Sequence, residues 1–307
     1  MFVSLADNSV TVSSGEIDPR EAALDILVAG VPERKDIESS SNLKALVIPW
    51  AGLPVKTREL MLEFPDIAVY NIHHNAAPTA ESAIMLMLAA ARDLIVTDGR
   101  LRKNDWVLRY ESDRPLLMEG RTALILGYGA VGRRVARGCL GLGMRVHAVR
   151  TTPSVSSDGD VSLHLPDALP SLLPAAEVLF LCLPRTPETD GLISAEELAL
   201  LPDDAIIVNV SRGAIVNEDS LYEELKSGRI RAGLDVWYMY PQDEDSRSDQ
   251  APSKFPFGDL PNVVMTPHMA GHCSNIESLR ATALAELINA IVRKSDTPGR
   301  VDVEKGY

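Results

Sequence analysis

The sequence has no long hydrophobic run, no surplus of basic charge and few cysteines, and each shortage removes a class of function. Its longest apolar stretch, Ala83 to Ala91, is far too short to cross a bilayer, so no membrane span is expected. Lys and Arg number 30 against 43 Asp and Glu, a formal net charge of −13. Such a field repels phosphate backbones and anionic lipid surfaces, which argues against nucleic acid or membrane as a partner. It also opposes capture of a small anion, so a site for one needs a local cation set against the general field. No basic segment leads into an apolar stretch at the start of the sequence, and no signal peptide is expected. The three cysteines, Cys139, Cys182 and Cys273, lack metal or redox spacing, so no metal site is expected. Cys139 and Cys182 fall in apolar periodic segments and read as small core residues. These absences together describe a cytoplasmic protein without structural disulfides.

What is present is apolar material in a repeating order. At 307 residues with 46% hydrophobic content, the chain is long enough for two cores. Asp25–Gly30, Ala45–Trp50 and Ile67–Asn71 read as strands separated by helix-length segments, a βαβ rhythm that predicts a parallel sheet. Pro78 then opens an apolar helix running to Arg92. The stretch from Asp93 to Gly120 is charged and irregular, with an isolated Trp106, and reads as a connector or an arm lying against a partner. From Thr122 a second alternating series begins, with strands at 123–126, 145–149, 177–183, 205–210, 232–237 and 262–268. Six strands with intervening helices are the content of a complete dinucleotide-binding fold. Residues 242–258 read as a solvated loop, and a last helix is expected at about 275–293.

Gly127-Tyr128-Gly129-Ala130-Val131-Gly132 lies between the 123–126 strand and an amphipathic helix. The first glycine permits a tight turn, the second lets the backbone approach a pyrophosphate, and the third allows close helix–strand packing. The helix N-terminus, from Ala130 and Val131 onward, then offers unpaired N–H groups to the phosphates. At the end of the next strand, NAD binding would call for a carboxylate on the ribose, but the sequence reads Val149-Arg150-Thr151-Thr152. A cation followed by two hydroxyls suits a 2′-phosphate and favours NADP. In the alternative, Arg150 stacks on the adenine and leaves NAD acceptable.

Four ordered motifs then converge on one family. Leu183-Pro184 with Thr186 and Thr189, Asn209-Val210-Ser211-Arg212-Gly213, Ala232-Gly-Leu-Asp235-Val and Thr266-Pro267-His268 together resemble the D-isomer-specific 2-hydroxyacid dehydrogenases. The resemblance covers essentially the whole chain. It implies an oxidoreductase that transfers hydride between NAD(P)H and a small anionic 2-keto or 2-hydroxy acid. Leu183, Pro184, Thr189, Val210 and Ser211 would line the cofactor. Arg212 would hold the substrate carboxylate and polarise the carbonyl, which a planar guanidinium suits by bidentate geometry. His268 would be the acid/base. Asp235 would bind the nicotinamide carboxamide. Trp50-Ala51-Gly52-Leu53 matches the loop that receives the substrate carboxylate. Asn75 matches a residue of the same cleft, with a helix cap as its alternative role.

One position departs from the pattern. Most members carry a glutamate that pairs with the catalytic histidine, and counting on from Asp235 that place holds Tyr240, followed correctly by Pro241. Tyr240 could orient His268 without supplying charge, could merely pack beneath the cleft, or could leave the role to a carboxylate from 243–249. Formate dehydrogenases of the superfamily share the DVWY wording found here at 235–238. The expected architecture is α/β. A Rossmann-type doubly wound parallel sheet domain (93–273) is inserted into a smaller flavodoxin-like α/β substrate domain (1–92 with 274–307). The resemblance also implies a homodimer, with the arm after the long helix as its contact. Two other functions remain open: oxidation of another small anion such as formate, and non-enzymatic NAD(P)(H) sensing, for which Arg212 or His268 would have been lost.

Overall fold

In the computed structural model, which describes residues 2–13, 15, 23–151, 157–295 and 297–306, the first three expected strands form β1 (Ile26–Val28), β2 (Ala45–Ile48) and β3 (Ala68–Asn71). They pair in parallel in the order β1-β2-β3, and Arg300 adds an antiparallel bridge to Tyr70. All four residues of β2 are buried, because both faces are covered. Leu46 and Ile48 pack with Ile37, Met61 and Val301, while Ala45 and Val47 pack with Tyr70 and with Leu287 of the Ile276–Arg293 helix. These segments make up one compact unit, residues 1–75 with 272–307.

The second unit, residues 76–271, holds an eight-stranded sheet. Its strands are β4 (Thr122–Leu126), β5 (Arg145–Val149), β6 (Ser157–Asp158), β7 (Val161–His164), β8 (Val178–Leu181), β9 (Ile206–Asn209), β10 (Arg231–Leu234) and β11 (Val263–Met265). The order is β11-β10-β9-β8-β4-β5-β7-β6, parallel except for the edge strand β6. Strand order reverses at β4, which pairs with β5 on one side and β8 on the other, so a topological switch point opens at its carboxyl end. Two strands escaped the six expected from sequence. β7 reads Val-Ser-Leu-His and buries only Val161 and Leu163, so it offers no continuous apolar run, and β6 has two exposed residues.

The Ala76–Ala91 helix also departs from expectation, because its apolar residues pack in the second unit. Ala83, Leu86, Met87 and Ala90 share a core with Val135, Val208 and Val264. A Cβ on Gly233 of β10 would lie 2.7 Å from Leu86 Cβ, so helix and sheet meet backbone to backbone. The sequence placed the division after residue 92; the compact units divide after residue 75, because this helix covers the larger sheet. Beyond it, the charged stretch contains two short helices, Leu94–Leu101 and Leu108–Glu111, that bury no side chain. Residues 242–258 carry only short 3-10 turns, and no helix among the described residues is long and apolar enough to cross a membrane.

The root of this arm is held by a charge cluster, centred on the buried Arg231–Asp93 pair, that no motif signalled. Arg231, 4% exposed, donates to Asp93 Oδ1 at 3.3 Å, to Asp204 Oδ1 at 3.2 Å and to the Arg114 carbonyl at 2.8 Å. Arg114 Nε reaches the other oxygen of Asp93 at 3.0 Å, so both ends of the arm meet at one carboxylate. Removing one partner of a buried pair strands the other in a poor solvent. Arg231→Ala is expected to lower the unfolding free energy of this unit by about 3 kcal/mol, the lower end of that range because Arg114 stays on Asp93. Urea unfolding checks this, and a change below about 1 kcal/mol would place the cluster among weak surface pairs.

Candidate active site

The glycine turn has the shape its spacing implied. Gly127 sits at φ +94 directly after β4, and a Cβ there would meet the Cys182 carbonyl oxygen at 2.6 Å. A Cβ on Gly132 would fall 1.9 Å from the Gly127 carbonyl oxygen, so the Gly132–Gly141 helix starts in contact with the turn. Around Gly129 the same construction meets nothing within 4 Å. The turn is therefore tight where it packs and open where a pyrophosphate would come near, and it fits a dinucleotide. Tyr128 is buried, and its hydroxyl lies 3.1 Å from Asp158 Oδ2, which also accepts from Arg133 Nη1 at 2.7 Å. This tie from the glycine turn to the edge strand was not legible, because β6 itself was not.

Arg150 follows β5, its backbone N–H held by the His164 carbonyl at 3.0 Å. Its guanidinium engages none of the described residues. Thr151 is exposed beside it, and Thr152 lies outside the described residues. On the neighbouring strand ends, Thr189 Oγ1 donates to the Pro184 carbonyl at 2.8 Å and accepts from Thr186 N–H at 2.8 Å. Ser211 Oγ donates to the Leu183 carbonyl, which joins the loops after β8 and β9. Val210 is buried beside them, and Cys139 lies in the core, where burial pushes its thiol up to about 12.

Arg212, Asp235 with Tyr240, and His268 follow β9, β10 and β11, three adjacent strands of one parallel sheet. Parallel pairing alone thus brings them to one edge. Asn209, 2% exposed, shapes the first turn: its Oδ1 accepts from Ser211 N–H at 3.0 Å and its Nδ2 donates to the Arg212 carbonyl at 2.9 Å. Arg212 keeps solvent-accessible area, yet protein crowds its guanidinium. This desolvation pushes its pKa down, Arg185 acts in the same sense, and Tyr240 opposes both. An arginine remains charged regardless. Its Nη1 donates to the Ser211 carbonyl at 2.7 Å, and no carboxylate pairs with it among the described residues. Arg185, by contrast, is neutralised by a bidentate bond to Asp190.

Asp235 is 1% exposed and accepts three hydrogen bonds: Thr266 Oγ1 at 2.6 Å, Met269 N–H at 2.9 Å and Ala270 N–H at 2.9 Å. Its carbonyl accepts from His268 N–H at 2.7 Å. His268 adopts φ +54, a left-handed conformation rarely held by a side-chain-bearing residue without support from its surroundings. The Tyr240 and His268 rings lie 5.5 Å apart at 54°. Tyr240 Oη accepts from Trp237 N–H at 3.0 Å, which leaves its own proton free to donate. Burial raises the phenol pKa, against the opposing pull of the Trp237 N–H and Arg212. The acidic side chains of 243–249 are all exposed; Asp243 caps Ser246 and Glu244 pairs with Arg247.

In the smaller unit, Trp50, Ala51, Gly52 and Leu53 follow β2, with Trp50 40% exposed and Gly52 at φ +89. Asn75 is half-buried and stands just before the Ala76–Ala91 helix. His74 Nδ1 and Arg280 Nε are buried without a hydrogen-bond partner; burial, then the charge of Arg280, holds the His74 pKa down.

Residues 84–270 match the family described as D-isomer specific 2-hydroxyacid dehydrogenase, NAD binding domain, and the chain belongs to this family. It is 35% identical over 237 residues to a D-3-phosphoglycerate dehydrogenase of Archaeoglobus fulgidus, covering 76% of this chain and 42% of that protein. Over 273 residues it is 31% identical to a glycerate dehydrogenase of Methylorubrum extorquens, covering 87% and 82%. The chain therefore spans under half the length of the first relative and most of the second. Among solved structures, a D-isomer specific 2-hydroxyacid dehydrogenase from Xanthobacter autotrophicus Py2, in complex with NADPH and MES, superposes with a TM-score of 0.77 at 28% identity, covering 98% of this chain and 90% of that one.

The glycine turn separates packing from binding. Gly129→Ala should keep the melting temperature within about 2 °C, since its Cβ enters open space, yet weaken NADPH binding more than about tenfold. Gly132→Ala should melt several degrees lower, which calorimetry would register. Unchanged NADPH binding in the Gly129 variant would contradict the cofactor reading of the turn.

Proposed function

We propose that this chain reduces small 2-keto acids to D-2-hydroxy acids with NADPH. The observation that carries the proposal is the convergence of Arg212, Tyr240 and His268 on three adjacent strand ends of the sheet that bears the glycine turn. A bound reduced nicotinamide dinucleotide supplies the hydride. Arg212, a cation with no carboxylate partner among the described residues, grips the substrate carboxylate and draws charge onto the keto oxygen. His268 hands its proton to that oxygen as the alkoxide develops. The Tyr240 ring braces the imidazole, and its phenol, anchored on Trp237 N–H, keeps a proton to donate. Asp235 fixes the turn that carries the histidine. Trp50 to Leu53 and Asn75 are assigned to the substrate by family resemblance.

NADPH is preferred on the strength of Arg150, whose guanidinium has no partner among the described residues, and of the absence of a carboxylate at the ribose position in the sequence. The NADPH complex of the Xanthobacter relative supports the same reading. We place the enzyme in the cytoplasm, in keeping with its three free cysteines. We also read it as a homodimer. Trp106 is 59% and Tyr110 79% exposed on the arm, and a groove of about 730 Å³ lined by Ile84, Met85, Leu88 and Leu94 reaches the arm at Leu94. Exposed apolar patches of this kind mark protein interfaces, and a second copy carries the complementary arm.

Three experiments test the proposal. Purified protein with NADPH and a panel of 2-keto acids should show reduction, and formate with NADP should give none; formate oxidation alone would overturn the proposal. Arg212→Ala should cut kcat/KM by about a thousandfold while NADPH still binds. Retention of a tenth of wild-type turnover would reject its role. Arg150→Asp should shift the kcat/KM ratio toward NADH, and equal use of both cofactors by the parent would remove the 2′-phosphate assignment.

The Tyr240 position predicts a pH signature. Reduction needs protonated His268, so activity is present below the histidine pKa and is lost as pH rises through it. A carboxylate facing the ring stabilises the imidazolium and raises that pKa. Tyr240→Glu should therefore carry the falling limb of the reduction profile to higher pH, and Tyr240→Phe should leave it in place. A limb unmoved in the Glu variant would mean that residue 240 does not act on His268.

A further inference from the structure

At the carboxyl ends of β1 and β2, Trp50 of the family-like loop meets a residue outside the family motifs, Gly30. Gly30, just after β1, is buried, and the indole of Trp50, just after β2, fills the space where its side chain would be. A Cβ on Gly30 would lie 1.7 Å from Trp50 Cη2 and 2.0 Å from Cζ2. The glycine backbone has no freedom to retreat. Ala29 N–H donates to the Val47 carbonyl of β2 at 3.1 Å, and the Gly30 carbonyl accepts from Thr57 Oγ1 at 2.8 Å, with Thr57 fully buried. The contact is therefore between a fixed main chain and the outer ring of the indole of Trp50, a residue that is still 40% exposed. An aromatic seated on one side and bare on the other, at the carboxyl end of parallel strands, is built as a wall.

We propose that Gly30 is the positioning residue that seats Trp50 as a fixed wall of the substrate subsite, selecting 2-keto acids whose substituent beyond the keto carbon is small and lies flat on an indole. This rests on the 2-keto acid reduction proposed above. Any side chain at position 30 must push the indole off its seat, and because the clash involves the far end of a side chain, the fold survives while the wall moves.

The test is a double-mutant cycle on Gly30→Ala and Trp50→Phe, since phenylalanine lacks the ring atoms that meet the added Cβ. Gly30→Ala should lower kcat/KM for the smallest accepted 2-keto acid by about 10- to 100-fold, mainly through KM, and raise the relative use of bulkier acids. Its melting temperature should stay within about 3 °C and its NADPH affinity within about twofold. In the Trp50→Phe background the Gly30→Ala change should have no further effect. An equal loss in both backgrounds, or wild-type kinetics in Gly30→Ala, would overturn the proposal. Should the parent reduce no 2-keto acid, the function reading fails separately, and acrylamide quenching decides the seat. The quenching contributed by Trp50, taken as the difference from Trp50→Phe, should change on Gly30→Ala, and an unchanged value would overturn the seat itself.

Discussion

The carboxylate of Asp235 is the interaction on which the reactive end of the large sheet depends. It is almost wholly buried, and such a charge is tolerated only when it is closely solvated by protein. Here three donors from the segment after β11 close on it, one hydroxyl and two main-chain N–H groups. These bonds fold residues 266–270 back over the end of β10 and hold His268 at φ +54. Trp237 joins the same frame, its indole N–H donating to the Thr266 carbonyl at 2.9 Å and its main-chain N–H to Tyr240 Oη. The family resemblance gives Asp235 to the nicotinamide carboxamide. In the protein its oxygens are engaged by the turn that bears the histidine.

Around that frame the electrostatics are local. A chain with a formal charge of −13 is a poor trap for an anion, and its surface arginines are mostly neutralised by neighbours, as Arg185 is by Asp190 and Arg133 by Asp158. Arg212 and Arg150 lack a carboxylate partner among the described residues, a state they share with other arginines such as Arg58 and Arg134, but these two follow β9 and β5, on opposite sides of the β4 switch point. The sheet thus offers positive charge at two separated strand ends, which the proposed function gives to a substrate carboxylate and to a phosphate.

The motifs that follow long apolar strands were legible in the sequence. Gly127, Arg212, Asp235 and His268 each end such a strand, and parallel pairing makes their convergence a consequence of strand order. Tyr240 was located by counting, and its ring lies 5.5 Å from that of His268. Features made by side chains meeting across long separations left no local trace. β7 hides behind Ser162 and His164, and the Asp93–Arg231 cluster joins residues far apart in sequence. The Ala76–Ala91 helix reads as buried from its composition, but nothing in its own sequence says which sheet it covers. Gly30 is silent for the same reason: a glycine after a short strand looks like a turn until the indole of Trp50 is seen in its place.

The most direct measurement of the Asp235 account is turnover of Asp235→Asn set beside its NADPH dissociation constant. The amide can still accept from one side of the turn, but its NH2 would oppose either the Met269 or the Ala270 N–H, so the turn must open and release His268. The account predicts a fall in kcat of about 100-fold or more with the NADPH dissociation constant within about threefold of the parent. A variant that keeps its kcat and loses only cofactor affinity would contradict it, and would return Asp235 to the carboxamide alone.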